Sequence, residues 1–477
     1  VLSYFVALIA TVVFFLVIDS LPRGRAPSLA SLGPRCLIPL TVFGGSLVVT
    51  GQPLSAAILS CALATLLIAV STLKQRTLGE PLVFSDLVVV SSFIRYPRFY
   101  LDAISIPARI AIIGLITISG YFLFSSMALA PEGRAIGILL GLTGNTLFRR
   151  VILHGGKHSL MQRPALIDDV RQFGLFSTLW AYALRWKMEE NPPKETPIEP
   201  HNTIEIDFVC IIQCESFMDP TDLEDVQAIP EMPEFSRLMN TATRSGKYLV
   251  NHFGAYTMRS EYGVLFGRDE EALGFRKYDP YLTAKEELSF SLANRLKNIF
   301  TNRIFLHPHD LRFYGRDRLM PAAGFNKILG PEVFGPEDLC GRYVGDEALA
   351  HKIVSLMNEN SADPTLLYAV SMENHGPWSA EGTDTNSPCA SYCRHLESAD
   401  HMLGILDKAL KSSTKKSVLI FYGDHRPSIP DISKPDGSKE TVYFIHTYGF
   451  SDGNIMKKQD LSPAELHKNI IDVICNS

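Results

Sequence analysis

The chain has 477 residues, 45 Lys+Arg against 50 Asp+Glu, a formal net charge of −5 and 46% hydrophobic residues. That length holds two or three domains, and no long basic stripe is present, which excludes a nucleic-acid partner. The charge is uneven: residues 1–150 carry 11 basic and 5 acidic residues, the remainder 34 and 45. A basic, apolar front and an acidic, polar back point to a membrane part followed by a soluble part. The first residue is Val, so a processed or truncated start is expected and no signal peptide can be judged.

Apolar runs come first along the chain. Residues 4–18, 36–51, 54–72 and 104–128 are four candidate spans, set against the roughly 20 residues a helix needs to cross a bilayer. A fifth run, 135–147, is short. The loops after the first and third runs are basic, with Arg23, Arg25 and Arg35, then Lys74, Arg76, Arg95 and Arg98. The positive-inside rule puts those loops in the cytoplasm. Four spans then leave the rest of the chain outside. Five leave it inside, where Arg149, Arg150 and Lys157 also fit, and loop charge alone favours five. Residues 74–102 read as an amphipathic interfacial loop. Residues 166–187 read either as an interfacial helix or as a surface helix of the soluble domain.

The Pro- and Glu-rich segment 188–202 reads as an extended linker, with 151–202 as a connecting region and 203–477 as the soluble domain. Four buried-strand patterns follow, at 203–217, 302–309, 365–375 and 416–425, each ending in acids or histidines. Helical patterns at 291–300 and 391–411 lie between them. Strands alternating with helices predict an α/β domain with a mostly parallel sheet. Ligands bind such sheets at the carboxyl ends of the strands. Of the eight cysteines none forms a CxxC pair; Cys210 and Cys214 read as buried packing residues, and Cys389 and Cys393 as either a disulfide or two thiols.

The strand ends carry the chemistry. Glu215 follows the first, and Asp424 and His425 follow the last. Two carboxylates and an imidazole suit Mn²⁺ or Zn²⁺, although each alone is equally a cap, an ion-pair partner or a loop residue. Thr257 precedes a predicted helix, where a hydroxyl is either an ordinary N-cap or a nucleophile favoured by the helix dipole and a metal. HPHDLRFYGRD (307–317) supplies His307, His309, Tyr314 and Arg316; SMENHGPW (371–378) supplies Asn374, His375 and Trp378. Arginine and histidine suit a phosphate, through a fork of donors and a proton for a leaving oxygen. His309 reads most readily as structural.

These segments together resemble the lipoteichoic acid synthase and phosphoglycerol transferase family, within the sulfatase-like alkaline phosphatase superfamily. The resemblance rests on ESF at 215–217, Thr257 with SE at 260–261, HPHDLRFYGRD, NHGPW and YGDHRP, in order across about 210 residues. It implies an α-helical transmembrane N-terminal region followed by an α/β sulfatase-like catalytic domain outside the cytoplasm, against the loop-charge reading. It implies that Glu215, Thr257, Asp424 and His425 hold one metal, commonly Mn²⁺, with Mg²⁺ or Zn²⁺ as alternatives. Thr257 would be the nucleophile, and His307, Arg316 and His375 would bind the phosphate and glycerol. The implied donor is phosphatidylglycerol or a related phospholipid, and the implied acceptor an envelope glycan or glycerol-phosphate polymer. Tyr314 stands where the synthases have Trp. Arg259, just after the nucleophile, resembles the glucan-modifying transferases and reads either as a phosphate or acceptor contact or as a helix-surface residue.

Rival readings are a phosphoethanolamine transferase on the same fold and a non-catalytic sulfatase-like binding protein. A sulfatase proper would carry a C/S-x-P-x-R nucleophile signature, and AYTMRSE lacks its Pro.

Overall fold

A computed structural model describes residues 2–20, 29–87, 106–126, 130–153, 160–199, 205–223, 229–359, 363–378, 387–429, 432–450 and 457–475. They belong to two compact units, Val1–Glu189 and Glu190–Ser477. Arg23, Arg25, Arg95, Arg98, Lys157 and the second half of the expected interfacial loop lie outside the described residues.

The first unit is helical: α1 (Leu2–Ser20), α2 (Leu29–Thr50), α3 (Pro53–Leu78), α4 (Ile106–Ser126), α5 (Pro131–Leu153), α6 (Leu166–Phe173) and α7 (Leu175–Trp186). Among the described residues, α1, α2, α3 and α5 are long and apolar enough to cross a membrane. The fifth run thus needs correction. It is not short, because α5 extends it to 23 residues by taking in Glu132, Arg149 and Arg150 at its polar ends. The run at 104–128 contains α4, and its flanks lie outside the described residues. Leu2, Phe5 and Val17 of α1 and Leu139 and Leu142 of α5 are exposed, a pattern that suits hydrocarbon rather than water.

Close backbone approach binds α2 to α5. A Cβ on Gly44 would fall 2.4 Å from the amide nitrogen of Gly141, so only glycine fits there. Small residues at such crossings are how helices associate where the surroundings are as apolar as the side chains. The stretch 166–187 is two helices rather than one. They part at Gly174, whose φ of 85° a side chain would not tolerate. Both belong to the first unit. The buried Asp19 accepts a hydrogen bond from the Leu175 amide at 2.9 Å, satisfying the first turn of α7, and pairs with Arg35 at 3.7 Å.

The second unit runs β1 (Phe208–Cys214), α8 (Pro233–Thr241), β2 (Arg244–Tyr248), α9 (Thr257–Phe266), β3 (Asn302–Leu306), α10 (Arg316–Ala322), β4 (Lys327–Leu329), β5 (Leu339–Cys340), β6 (Tyr343–Val344), α11 (Asp346–Glu359), β7 (Thr365–Val370), α12 (Pro388–Ser412), β8 (Ser417–Gly423), β9 (Thr441–Tyr448), β10 (Lys457–Lys458) and α13 (Pro463–Cys475), with shorter helical turns between. Eight strands form one sheet in the order β10-β2-β9-β8-β1-β7-β3-β4, and β5 and β6 pair separately. The stretch from β8 to β4 is parallel, while β9 runs antiparallel to both β8 and β2.

Strand periodicity sorts side chains between two cores. Val209, Ile211, Tyr368, Ile420 and Tyr422 pack with Tyr262 and Leu265 of α9 and Leu466 and Ile470 of α13. Cys210, Ile212, Leu367, Leu419 and Phe421 pack on the opposite face with Phe235 of α8, Ile353 of α11 and Leu403 of α12. Cys210 and Cys214 are fully buried, as expected, and Cys389 and Cys393 are free thiols.

The Pro/Glu-rich segment is extended but fastened to the second unit. The Ile198 amide donates to Arg295 O at 2.8 Å, Arg295 pairs with Glu195 at 2.6 Å, and Arg276 donates to Asn191 Oδ1 at 2.8 Å.

Candidate metal centre and active site

Register decides which side chains meet. Gln213 of β1 lies level with Val370 of β7 and Tyr422 of β8, and Leu306 of β3 lies level with Ala369. The residues that follow, Glu215, Ser371, Asp424 and His307, therefore emerge along one edge. Three inter-strand spacings of about 4.8 Å span that edge.

Glu215, Asp424 and His425 form a buried cluster with their potential ligand atoms within 4.8 Å of one another. His425 Nε2 lies 3.5 Å from Glu215 Oε1 and 3.6 Å from Asp424 Oδ2, and Thr257 Oγ1 lies 3.3 Å from the same nitrogen. The geometry is held from behind. Asp424 Oδ1 accepts from the amides of Ser216 and His425, both at 2.8 Å, and the Glu215 amide donates to Ser371 Oγ at 3.1 Å. Ser216 takes a left-handed φ of 50° at the turn. His425 Nδ1 faces Arg426 O at 3.0 Å, which assigns the proton to Nδ1 and leaves the Nε2 lone pair towards the carboxylates.

The electrostatics show a local surplus of negative charge. Burial and the neighbouring Glu215 carboxylate raise the Asp424 pKa. Burial opposes charge on His425, but Asp424 and Glu215 outweigh it and raise that pKa too. Among the described residues, Asp424 Oδ2 is buried without a hydrogen-bond partner. Two close carboxylates, an orphaned oxygen, an imidazole lone pair and a hydroxyl are a donor set that a divalent cation completes. The residues present fit Mn²⁺ or Zn²⁺.

Thr257 is the first residue of α9, where backbone N–H groups favour a developing oxyanion. Tyr256 before it has a φ of 71°, a left-handed conformation that is rare outside glycine. Such strain is found where a fold holds a functional side chain in place.

The remaining expected residues fall into linked groups. Arg316 is 2% exposed and makes a bidentate pair with Glu261, at 2.9 Å from Nε and 2.5 Å from Nη2, while Nη1 lies 3.2 Å from His307 Nε2. Burial and Arg316 drive the His307 pKa well down, so His307 is a neutral acceptor towards Arg316. The Tyr314 ring lies under the guanidinium at 5.0 Å. His309 sits between the His307 and Tyr343 rings, at 5.9 and 6.2 Å, and burial holds its pKa at about 4. Tyr343 in turn meets His375, with ring centroids 5.6 Å apart. Asn374 donates to Ser216 O at 3.3 Å and accepts from Trp378 Nε1 at 3.1 Å, which ties the NHGPW segment to the turn after Glu215. Arg259 is stacked 4.0 Å from the Tyr256 ring and its Nε donates to Tyr278 O at 3.2 Å.

Reading the sequence quoted Ser260 and Glu261 only as a motif, with no role, and gave His252 none either. Glu261 is fully buried and fixes Arg316; Ser260 Oγ donates to Asp424 O at 2.5 Å and meets His252 Nε2 at 3.1 Å. The available signal was the SE pair at 260–261, which carries two polar residues inside a helix that is otherwise apolar on that side.

The sequence profile of the sulfatase family matches residues 207–472. A capsular polysaccharide biosynthesis protein, RkpI, from Rhizobium meliloti (strain 1021) is 28% identical over 448 residues, covering 89% of this chain and 82% of that protein. Among solved structures, the Streptococcus pyogenes phosphoglycerol transferase GacH in complex with sn-glycerol-1-phosphate is 21% identical with a TM-score of 0.45, covering 57% of this chain and 76% of its own. The lipoteichoic acid synthase LtaP from Listeria monocytogenes is 20% identical with a TM-score of 0.45, covering 57% and 72%.

Proposed function

This chain belongs to the sulfatase family, and from that premise we propose that it is a membrane-anchored phosphoglycerol transferase acting through a phosphorylated Thr257. It moves glycerophosphate from phosphatidylglycerol to an envelope glycan or glycerol-phosphate polymer. The observation that carries the reading is Thr257 Oγ1 at the head of α9, 3.3 Å from His425 Nε2 and beside the Glu215–Asp424–His425 cluster. A threonine there, without a C/S-x-P-x-R signature, favours phosphoryl transfer over sulfate ester hydrolysis. The likeness to a capsular polysaccharide biosynthesis protein over most of both chains supports a glycan acceptor.

Glu215, Asp424 and His425, with Thr257, would hold a divalent metal, Mn²⁺ in this reading. When bound, the metal supplies positive charge that lowers the pKa of the Thr257 hydroxyl and offsets charge on the phosphoryl oxygens. Thr257 Oγ1 releases its proton to solvent water, which returns one when Thr257 later leaves, and attacks the donor phosphorus. The P–O bond to diacylglycerol breaks, and the leaving oxygen takes a proton from His375. An acceptor hydroxyl then attacks the phosphorus on Thr257, returns its proton to His375, and Thr257 leaves and regains its own. Arg316, held flat by Glu261, and His307, Tyr314 and Arg259 bind the phosphate and glycerol.

We take four crossings, with the basic loop after α3 in the cytoplasm, so that only one of α4 and α5 crosses after it and residues 190–477 work outside the cytoplasmic membrane. If both crossed, that unit would lie inside. A lipid donor gives the anchor its purpose.

The test is transfer of label from phosphatidylglycerol labelled in the head-group glycerol, using the full chain in vesicles with Mn²⁺. The reading requires label to move to the acceptor with the wild type and not with Thr257→Ala. Transfer only from phosphatidylethanolamine would move the protein to the phosphoethanolamine class.

A further inference from the structure

A cavity of about 530 Å³ opens beside α9 in the second unit, within the size range of small-molecule sites. Arg259 and Gly263 of α9 line it, so it adjoins the helix that carries Thr257. Of its lining residues, the transfer mechanism above uses only Arg259.

Its lining is chemically specific. Three bases, Arg259, Arg268 and Lys277, face three acids, Asp269, Glu270 and Glu271. Partners offset much of this charge: Arg268 pairs with Glu287 at 2.9 Å, Lys277 with Glu270 at 3.8 Å, and Asp269 with Lys468 at 3.9 Å. A lining balanced in this way offers no net field to a phosphate or polyanion. It offers many donors and acceptors instead, around an apolar floor that includes Leu249, Leu273 and Pro463. A ligand with many hydroxyls, an apolar ring face and no charge matches both features.

His252 adds an independent sign of a ligand. It lines the cavity, is 2% exposed, and its Nδ1 has no hydrogen-bond partner among the described residues. Ser260 Oγ donates its one proton to Asp424 O, so it accepts from His252 Nε2. That places the ring proton on Nε2 and leaves Nδ1 a bare acceptor. A buried acceptor without a donor is costly, and a ligand hydroxyl supplies one. Through Ser260, the same imidazole touches the backbone of the metal-cluster residue Asp424.

We infer that this cavity is the acceptor subsite and takes a neutral sugar unit of a glycan. The inference rests on the transferase reading for its role, but the binding site itself does not. The uncharged glycan separates it from a glycerol-phosphate polymer, whose phosphates the balanced lining would not attract.

The test uses the full chain in phosphatidylglycerol vesicles and a neutral glucose hexasaccharide as probe. Ala272 lines the cavity and is exposed, so Ala272→Trp fills the site without disturbing the core. Saturation-transfer NMR should show the hexasaccharide bound to wild type and not to Ala272→Trp. Formation of the Thr257 adduct should stay within about twofold, while transfer to the glycan falls about tenfold or more. A wild type that binds no hexasaccharide, or an Ala272→Trp chain that binds and transfers normally, would overturn the subsite. Binding that is lost in Ala272→Trp, with no Thr257 adduct in wild type, would keep the sugar site and reject the phosphoglycerol reading.

Discussion

Thr257 and Arg316 do different work, and their variants should separate it. Thr257→Ala should lower transfer roughly 10³-fold or more in kcat with little change in folding, because it deletes the proposed nucleophile. Thr257→Ser should keep measurable transfer, since the hydroxyl remains at the head of α9. Arg316→Ala leaves Glu261 buried and uncompensated, and such breaks cost roughly 3–5 kcal/mol. Its Tm should fall along with activity, and Arg316→Lys should recover only part of either, because an ammonium lacks the fork that grips both Glu261 oxygens. Denaturation curves beside transfer rates would check this; unchanged stability in Arg316→Ala would show that the pair is not what fixes the site. Glu215, Asp424 and His425 were legible in the sequence because each follows a buried apolar run, where a charge needs a reason. Glu261 was legible only as part of the SE motif; its role was not, because its partner Arg316 lies 55 residues away.

At the scale of elements, α9 is the pivot, carrying Thr257 at one end and packing on α13 at the other. His467 of α13 is buried against Gly267, the αL cap of α9, and its Nδ1 meets Val264 O at 2.8 Å. Burial holds the His467 pKa down at about 4. The unfolded chain therefore binds a proton at His467 that the folded chain refuses between about pH 6.5 and 4. Stability from this group is complete above that window and is lost as pH falls through it. His467→Gln should flatten part of the decline in Tm over that range; an unchanged slope would place the acid sensitivity elsewhere, in His252, His307 or His309. The parallel strands β1, β3, β7 and β8 were visible as apolar runs. β9 was missed although Val442 and Phe444 alternate with Tyr443 and Ile445 between the two cores, and β2, RSGKY, has almost no apolar signal of its own. Pairing with β9 on one side and β10 on the other makes β2 a strand. The helix expected over 166–187 split at Gly174 because Asp19, 156 residues earlier, caps the second half.

On the scale of the whole molecule, the proposed function requires the helical unit to anchor the second unit on the outer side of the membrane. Protease added to intact spheroplasts should cleave within residues 190–477; protection of that unit until the membrane is opened would reverse the topology. Chelation should abolish transfer and lower the Tm of the catalytic unit, since a bound ion stabilises only the folded state, and Mn²⁺ should restore both. Membrane segments were legible from composition, but α5 looked too short because its polar ends are invisible to an apolar-run criterion. The sulfatase-type fold was legible through ordered motifs, each weak alone.

The most direct test is peptide mass spectrometry of the full chain after incubation with phosphatidylglycerol and Mn²⁺, without acceptor. A glycerophosphate adduct on Thr257, absent from Thr257→Ala and Asp424→Ala, is the predicted result. Transfer to acceptor that proceeds with Thr257 unmodified and with Thr257→Ala fully active would contradict the account.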